Sequence, residues 1–308
     1  VNEAVNDHWM PDEGRDAYKL FNENRISRPL QSLDGEQIMS SWNNAIATFT
    51  EEIEKTGSEN VLIVGSPHAS VEENYLLGKY ANLLGIKQPV FTTDIEEGKG
   101  DGFLLTDDLA PNTNGCRLLG FKEVSASQLK KSVQNSELVI FINDHFVDRK
   151  ILDKDDFSNP FTIVFGTNHS KTTKLADFVI PITTAAEHSA SYVNVDGRIQ
   201  RTFRAKETKY TNRRLDLEMS EGRLDRFGTN FDNWVNEDNK VDCLPLWKFF
   251  SKTSGETGLD IEFDDGREIM DEIAKNNSAF ENVSHQSIDE QAGIQLKLGS
   301  TKKAAKTK

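Results

Sequence analysis

Apolar residues recur along this chain in two rhythms, and the changes between them mark its elements. In residues 36–56, Ile38, Met39, Trp42, Ala45, Ile46, Phe49 and Ile53 fall at helical spacing, which predicts an amphipathic helix over that whole span. "NVLIVGSPHAS" (60–70) then breaks the rhythm with a short β-rich apolar run ending at Gly65. "VEENYLLGKYANLLG" returns to helical spacing and stops at Gly85. Together they predict a strand–loop–helix unit with the helix start at the strand's carboxyl end. "QPVFTTD" (88–94) is the next short strand, and residues 96–115 read as a loop rich in Gly, Asp and Asn.

A second series follows. "SASQLKKSVQNS" (125–136) has helical spacing, and "ELVIFIND" (137–144) is a buried strand. "PFTIVFGTNHS" (160–170) is another, and "TTKLADFVIPIT" (172–183) holds a third with a break at Pro181. Nearly continuous apolar strands alternating with helices predict an α/β fold, its parallel sheet covered on both faces. Residues 201–214 are basic, and residues 215–242 are mostly acidic and polar, so 201–243 is expected to be a polar excursion. Helices are expected in 244–255 and 264–276, followed by a disordered basic tail over 300–308. At the other end, Pro11 suits a first helical turn, with Asp12 and Glu13 at its positive end.

Composition narrows the function. The 308 residues carry a formal charge of -14, which opposes general binding to nucleic acid or anionic lipid. The basic stretch 198–214, with Phe203 and Tyr210 interleaved, is the only feature that favours single-stranded nucleic acid, and the acidic remainder outweighs it. No apolar run approaches the length of a membrane span. Cys116 and Cys243 are too few for a disulfide scaffold or a self-contained four-cysteine iron–sulfur cluster. None of the six histidines pairs with another His or Cys at metal-ligand spacing.

Candidate chemistry sits in two loops. "GSPHAS" places Ser66 and His68 between a strand and a helix, where an open α/β sheet binds its ligands. "GTNHS" places Thr167 and His169 after another strand, and the two loops are expected to face one crevice. Neither is a GxGxxG loop or a phosphate loop with its lysine, and ordinary polar loops would look the same. A Ser–His hydrolase lacks its GxSxG elbow, and Asp144 and His145, adjacent on a strand, diverge.

"KLADFVIPITTAAEHSASYVNVDGRIQR" (174–201) is the most distinctive stretch. It resembles the pattern Ala-Asp-Val-Val-Leu-Pro, Glu, Gly-Thr-x-x-Asn-x-Glu-Gly-Arg-x-Gln of the molybdopterin oxidoreductase superfamily. Ala176, Asp177, Pro181, Glu187, Asn194, Gly197, Arg198 and Gln200 match, while Ser191 and Asp196 stand for the usual Thr and Glu. "HWMPDEGRDAYK", "SVEENYLLGKYANLLG" and "PNTNGCRLLGF" are similar to further family segments, in family order. The superfamily includes the catalytically inert domain in the large iron–sulfur subunit of respiratory NADH:quinone oxidoreductase, complex I.

This resemblance implies a doubly wound, mostly parallel sheet of the molybdopterin oxidoreductase type over residues 36–200, with flanking helices including 244–299. It implies that residues 1–35 are a junction from an upstream iron–sulfur region carrying [2Fe–2S] and [4Fe–4S] clusters. Pro11 stands where cluster-bearing relatives place a cysteine ligand, and proline has no thiolate. The implied chain has no catalytic residue, metal ligand or cofactor of its own. It serves as a structural and electron-transfer-accessory part of the peripheral arm, beside other arm subunits, on the cytoplasmic side of the inner membrane without inserting into it. Two alternatives are a subunit of a pterin-dependent oxidoreductase such as formate dehydrogenase, and a nucleotide-binding α/β module.

Overall fold

A computed structural model describes residues 5–6, 8–209 and 241–298. Most of the expected polar excursion and the whole basic tail lie outside the described residues.

Eight strands form one sheet: β1 (Leu30–Leu33), β2 (Glu36–Met39), β3 (Val61–Val64), β4 (Val90–Phe91), β5 (Lys122–Glu123), β6 (Leu138–Ile142), β7 (Phe161–Gly166) and β8 (Phe178–Pro181). Their order is β2-β1-β8-β7-β6-β3-β4-β5. Pairings from β8 through to β5 are parallel, while β1 joins β8 antiparallel and carries β2 as an antiparallel edge. Counted in chain order, the six parallel strands run 3-2-1-4-5-6, so the sheet is doubly wound and its order reverses between β3 and β6.

The apolar runs explain why the sheet is buried on both faces. Along β6, Leu138, Ile140 and Ile142 enter one core, while Val139 and Phe141 enter the other. Ile163, Phe165, Phe178 and Ile180 continue the first core, and Val164 and Val179 continue the second. Helices α2 (Trp42–Thr56) and α3 (Val71–Leu83) cover the first face. They are joined there by α7 (Leu246–Thr257) and α8 (Gly266–Asn276). Phe249 of α7 meets Phe49 and Phe165 edge-on at 5.1 and 5.2 Å, and Phe250 stacks on Tyr80 at 4.7 Å. Aromatic pairs at these separations add about 0.5–1.5 kcal/mol each beyond the area they bury. The second face is covered by α5 (Ala126–Gln134) through Leu129 and Val133, by α6 (Lys171–Leu175) through Leu175, and by Phe146, Leu152 and Phe157.

The helix expected over residues 36–56 is corrected: Glu36–Met39 is the edge strand β2, and helix begins only at Trp42. Two local choices override the helical spacing. Asp34 and Gly35 both take positive φ, 53° and 82°, the conformation of a tight hairpin turn. Ser41 then starts α2 as its N-cap, accepting the backbone N–H of Asn44. The hairpin spans the junction boundary expected at residue 35. The expected loop 96–115 also gives way at its end, where α4 (Thr113–Leu118) begins. A short α1 (Asp12–Asp16) follows Pro11, whose carbonyl accepts Gly14 and Arg15 N–H, so the proline does start a helix.

A second, three-stranded antiparallel sheet orders β11 (Ile294–Gln295), β10 (Arg198–Thr202) and β9 (Ala190–Val193). It holds the end of the family-like stretch against α3 and α4. No described helix is long and apolar enough to cross a membrane.

Candidate functional site

The strand order reverses between β3 and β6, and in such sheets the crevice outside the carboxyl ends of these strands is the usual ligand position. Three loops meet there, after β3, β6 and β7. Asn143, following β6 with φ of 36°, ties them together. Ser66 Oγ donates to the Asn143 carbonyl at 3.1 Å, and Thr167 Oγ1 donates to Asn143 Oδ1 at 3.1 Å. Ser66 and Thr167 therefore converge as the sequence predicts.

The two histidines have separate partners and do not face each other. His68 Nε2 meets Asp94 Oδ2 at 2.9 Å. His169 is exposed at the protein edge, its N–H donating to the Asn24 carbonyl. What burial its ring has, together with the Lys174 charge, lowers its pKa. A nucleophilic serine is also unsupported: Ser66 Oγ accepts the backbone N–H of His68, not its imidazole. Asp144 is committed to Arg149, and His145 beside it is exposed.

Residues that the sequence pattern did not single out fill the crevice. Arg149 lies between two carboxylates. Its Nε is 3.0 Å from Asp94 Oδ1, and its Nη1 is 2.8 Å from both oxygens of Asp144. Its Nη2 donates to the Thr93 carbonyl at 2.6 Å. A chain His68–Asp94–Arg149–Asp144 thus runs across the strand ends. The His68 hydrogen bond and the Arg149 charge outweigh partial burial and lower the Asp94 pKa. The signals available in sequence were slight: Asp94 follows a two-residue strand, and Arg149 lies in a loop.

The loop beneath is equally occupied. Asn74 Oδ1 accepts Ser66 N–H, and Asn74 Nδ2 donates to the carbonyls of Ser66, Ala69 and Ser70. Ser70 and Glu73 form a reciprocal capping box at the start of α3. Asn112 N–H and Nδ2 donate to Pro67 and Ala69 carbonyls, and Asn112 Oδ1 accepts Val193 N–H. Gly65 and Gly115 have no room for a side chain: a Cβ would lie 2.2 Å from the Phe121 ring and 1.9 Å from Asn112 Oδ1.

Family-like residues outside the crevice behave the same way. Glu72, fully buried, accepts Ser191 N–H and pairs with His285 Nε2 at 2.8 Å. Glu187 holds Arg25 at 2.6 Å and accepts Thr184 N–H. Cys243 Sγ lies 3.8 Å from Glu187, and burial raises its thiol pKa. Asp177 accepts both N–H and Oγ1–H of Thr162, locking β8 to β7. Asn194 Oδ1 accepts the N–H groups of Asp196 and Arg198, and Gly197 supplies the positive φ that turns β9 into β10.

The N–H groups of Ser66 and His68 in this loop, and of Ser70 and Glu73 in the capping box of α3, are all bonded internally. Among the described residues, no group of three or more His, Cys, Asp or Glu side chains is placed to hold a metal ion.

Residues 112–219 match the family model described as molybdopterin oxidoreductase. Over 85 residues the chain is 28% identical to the G subunit of NADH-quinone oxidoreductase from Rickettsia conorii. That region is 28% of this chain and 13% of the relative. It is 27% identical to the protein of that name from Rickettsia felis, over the same shares, and 26% to that from Rickettsia bellii, over 28% and 12%. The match therefore spans about an eighth of these curated relatives. The chain folds as a mostly parallel α/β sheet, matches the molybdopterin oxidoreductase family model over residues 112–219, and is similar, over part of its length, to the G subunit of NADH-quinone oxidoreductase.

Proposed function

We propose that this chain is a structural, electron-transfer-accessory part of an NADH:quinone oxidoreductase, a vestigial molybdopterin-type domain that braces a peripheral arm among other subunits. One observation carries the reading. Glu72, Asn74 and Asn112, in segments similar to the family's, bond to the backbone of neighbouring segments, and Arg149 with its two carboxylates spans the strand ends. Such a body offers a rigid scaffold and needs no catalytic group. On this reading the arm lies on the cytoplasmic side of the inner membrane. Its [2Fe–2S] and [4Fe–4S] clusters lie in a segment upstream of Val1, with Pro11 replacing a cysteine ligand.

Depleting the chain from the cells that make it should lower both the assembled complex and the NADH:quinone oxidoreductase activity of isolated membranes. His68→Gln and Thr167→Val should leave both unchanged. Full activity without the chain would sink the proposal. Activity lost in the crevice variants with assembly intact would point to chemistry in the crevice instead. Molybdenum or tungsten co-purifying with the chain would favour the pterin-dependent enzyme.

A second reading rests on the strand order, which is that of dinucleotide-binding sheets. A nucleotide bound at Gly65 and Gly166 should raise the melting temperature in a thermal-shift panel. No shift with any of the common nucleotides would remove this reading.

A further inference from the structure

We propose that Phe103 and Trp9 form a docking surface for a protein partner that presents an apolar socket ringed by lysine or arginine. The two rings lie 94 positions apart in the chain, yet their centroids are 5.9 Å apart, with planes at 66°. Both remain largely in solvent, Phe103 70% and Trp9 59% exposed, and neighbouring Met10 is 52% exposed. Contiguous exposed apolar patches mark interaction sites, and aromatic rings dominate the binding energy of such sites.

The surface is held in place from both ends. Residues 94–109 form a hairpin in which Glu96 N–H donates to the Asp107 carbonyl and Leu109 N–H to the Asp94 carbonyl. At its tip, Asp101 Oδ1 accepts the N–H groups of Phe103, Leu104 and Leu105, each at 2.8 Å. At its base, Asp94 is fixed by His68 and Arg149. A side chain presented on a fixed tip loses little freedom on binding, so more of its buried area appears as affinity.

Charge selects the partner. Beyond Asp94, which Arg149 neutralises, the hairpin contains Glu96, Glu97, Asp101, Asp107 and Asp108 against Lys99 alone. That field attracts a basic rim and repels anionic lipid, nucleic acid and acidic proteins. Ile95 and Leu109, 50% and 43% exposed, extend the apolar area toward the hairpin base. The docking surface stands whether or not the chain belongs to an oxidoreductase.

The test is photo-crosslinking of the full-length chain in the cells that make it, with p-benzoylphenylalanine in place of Phe103. The expected adduct lies on another protein, in a segment where an apolar residue is flanked by at least two Lys or Arg. Its yield should fall about tenfold when Glu96→Lys and Glu97→Lys are introduced. Adducts on lipid, on a second copy of this chain or on an acidic segment would overturn the proposal, as would the absence of any macromolecular adduct. Phe103→Ala should leave the thermal midpoint unchanged. A lowered midpoint would assign the ring pair to packing and overturn the docking role as well.

Discussion

At the scale of single residues, Arg149 bridges two carboxylates. Asp144 has a fully buried side chain, and Asp94 is 17% exposed. Arg149→Met would leave both carboxylates facing each other with one cation gone. Removing one partner of a buried pair costs about 3–5 kcal/mol, and partial exposure of Asp94 places this variant near the lower end. Urea denaturation measures the loss, and adding Asp144→Asn should recover part of it. Recovery of nothing would mean that Arg149 acts through packing. Asp94 also predicts a pH dependence. Its folded pKa is depressed by His68 first and Arg149 after, so its charge stabilises the fold fully above the unfolded value of about 4. That contribution is lost as pH falls through the depressed folded value. Asp94→Asn should therefore flatten the stability–pH curve below about pH 4, relative to the parent chain, and leave its slope near pH 7 unchanged.

At the scale of elements, the strands were legible because burial on both faces makes them continuous apolar runs: "VLIV", "LVIFI" and "FTIVFG" admit little else. The β1–β2 hairpin was not, because Ile38 and Met39 sit at a distance from Trp42 that suits a helix. The crevice was half legible. Loop position gave Ser66 and Thr167, but Arg149 reaches Asp94 from 55 positions away, a separation no local pattern records. Turn glycines test this level. Gly35, with φ of 82° and nothing within 4 Å of where a Cβ would sit, should cost about 1 kcal/mol as alanine through backbone strain alone. Gly197→Ala should cost more, because its φ of 83° is combined with Leu298 carbons only 2.8–3.1 Å from the added Cβ. Equal losses in thermal unfolding would show that Leu298 moves aside freely.

At the scale of the whole molecule, the C-terminal helices decide whether this is one cooperative body. Sequence order places α7 and α8 beyond a long polar stretch, but Phe249, Phe250, Ile269 and Met270 complete the core that α2 and α3 lay on the sheet. Phe249 touches Phe49 from the first third of the chain and Phe165 from β7, so deleting its ring opens a cavity shared by three segments. Phe249→Ala should lose about 3–5 kcal/mol. Because the core is shared, that loss should appear in both tryptophan fluorescence, which includes Trp247 of α7, and far-ultraviolet circular dichroism, which reports all helices. The two urea transitions should coincide in the parent chain and shift together in the variant. A scaffold that braces an arm needs this coupling, since load applied at one end must reach the other through one packed interior. A fluorescence transition that moved alone would separate the C-terminal helices from the sheet and leave the bracing role without its mechanical basis.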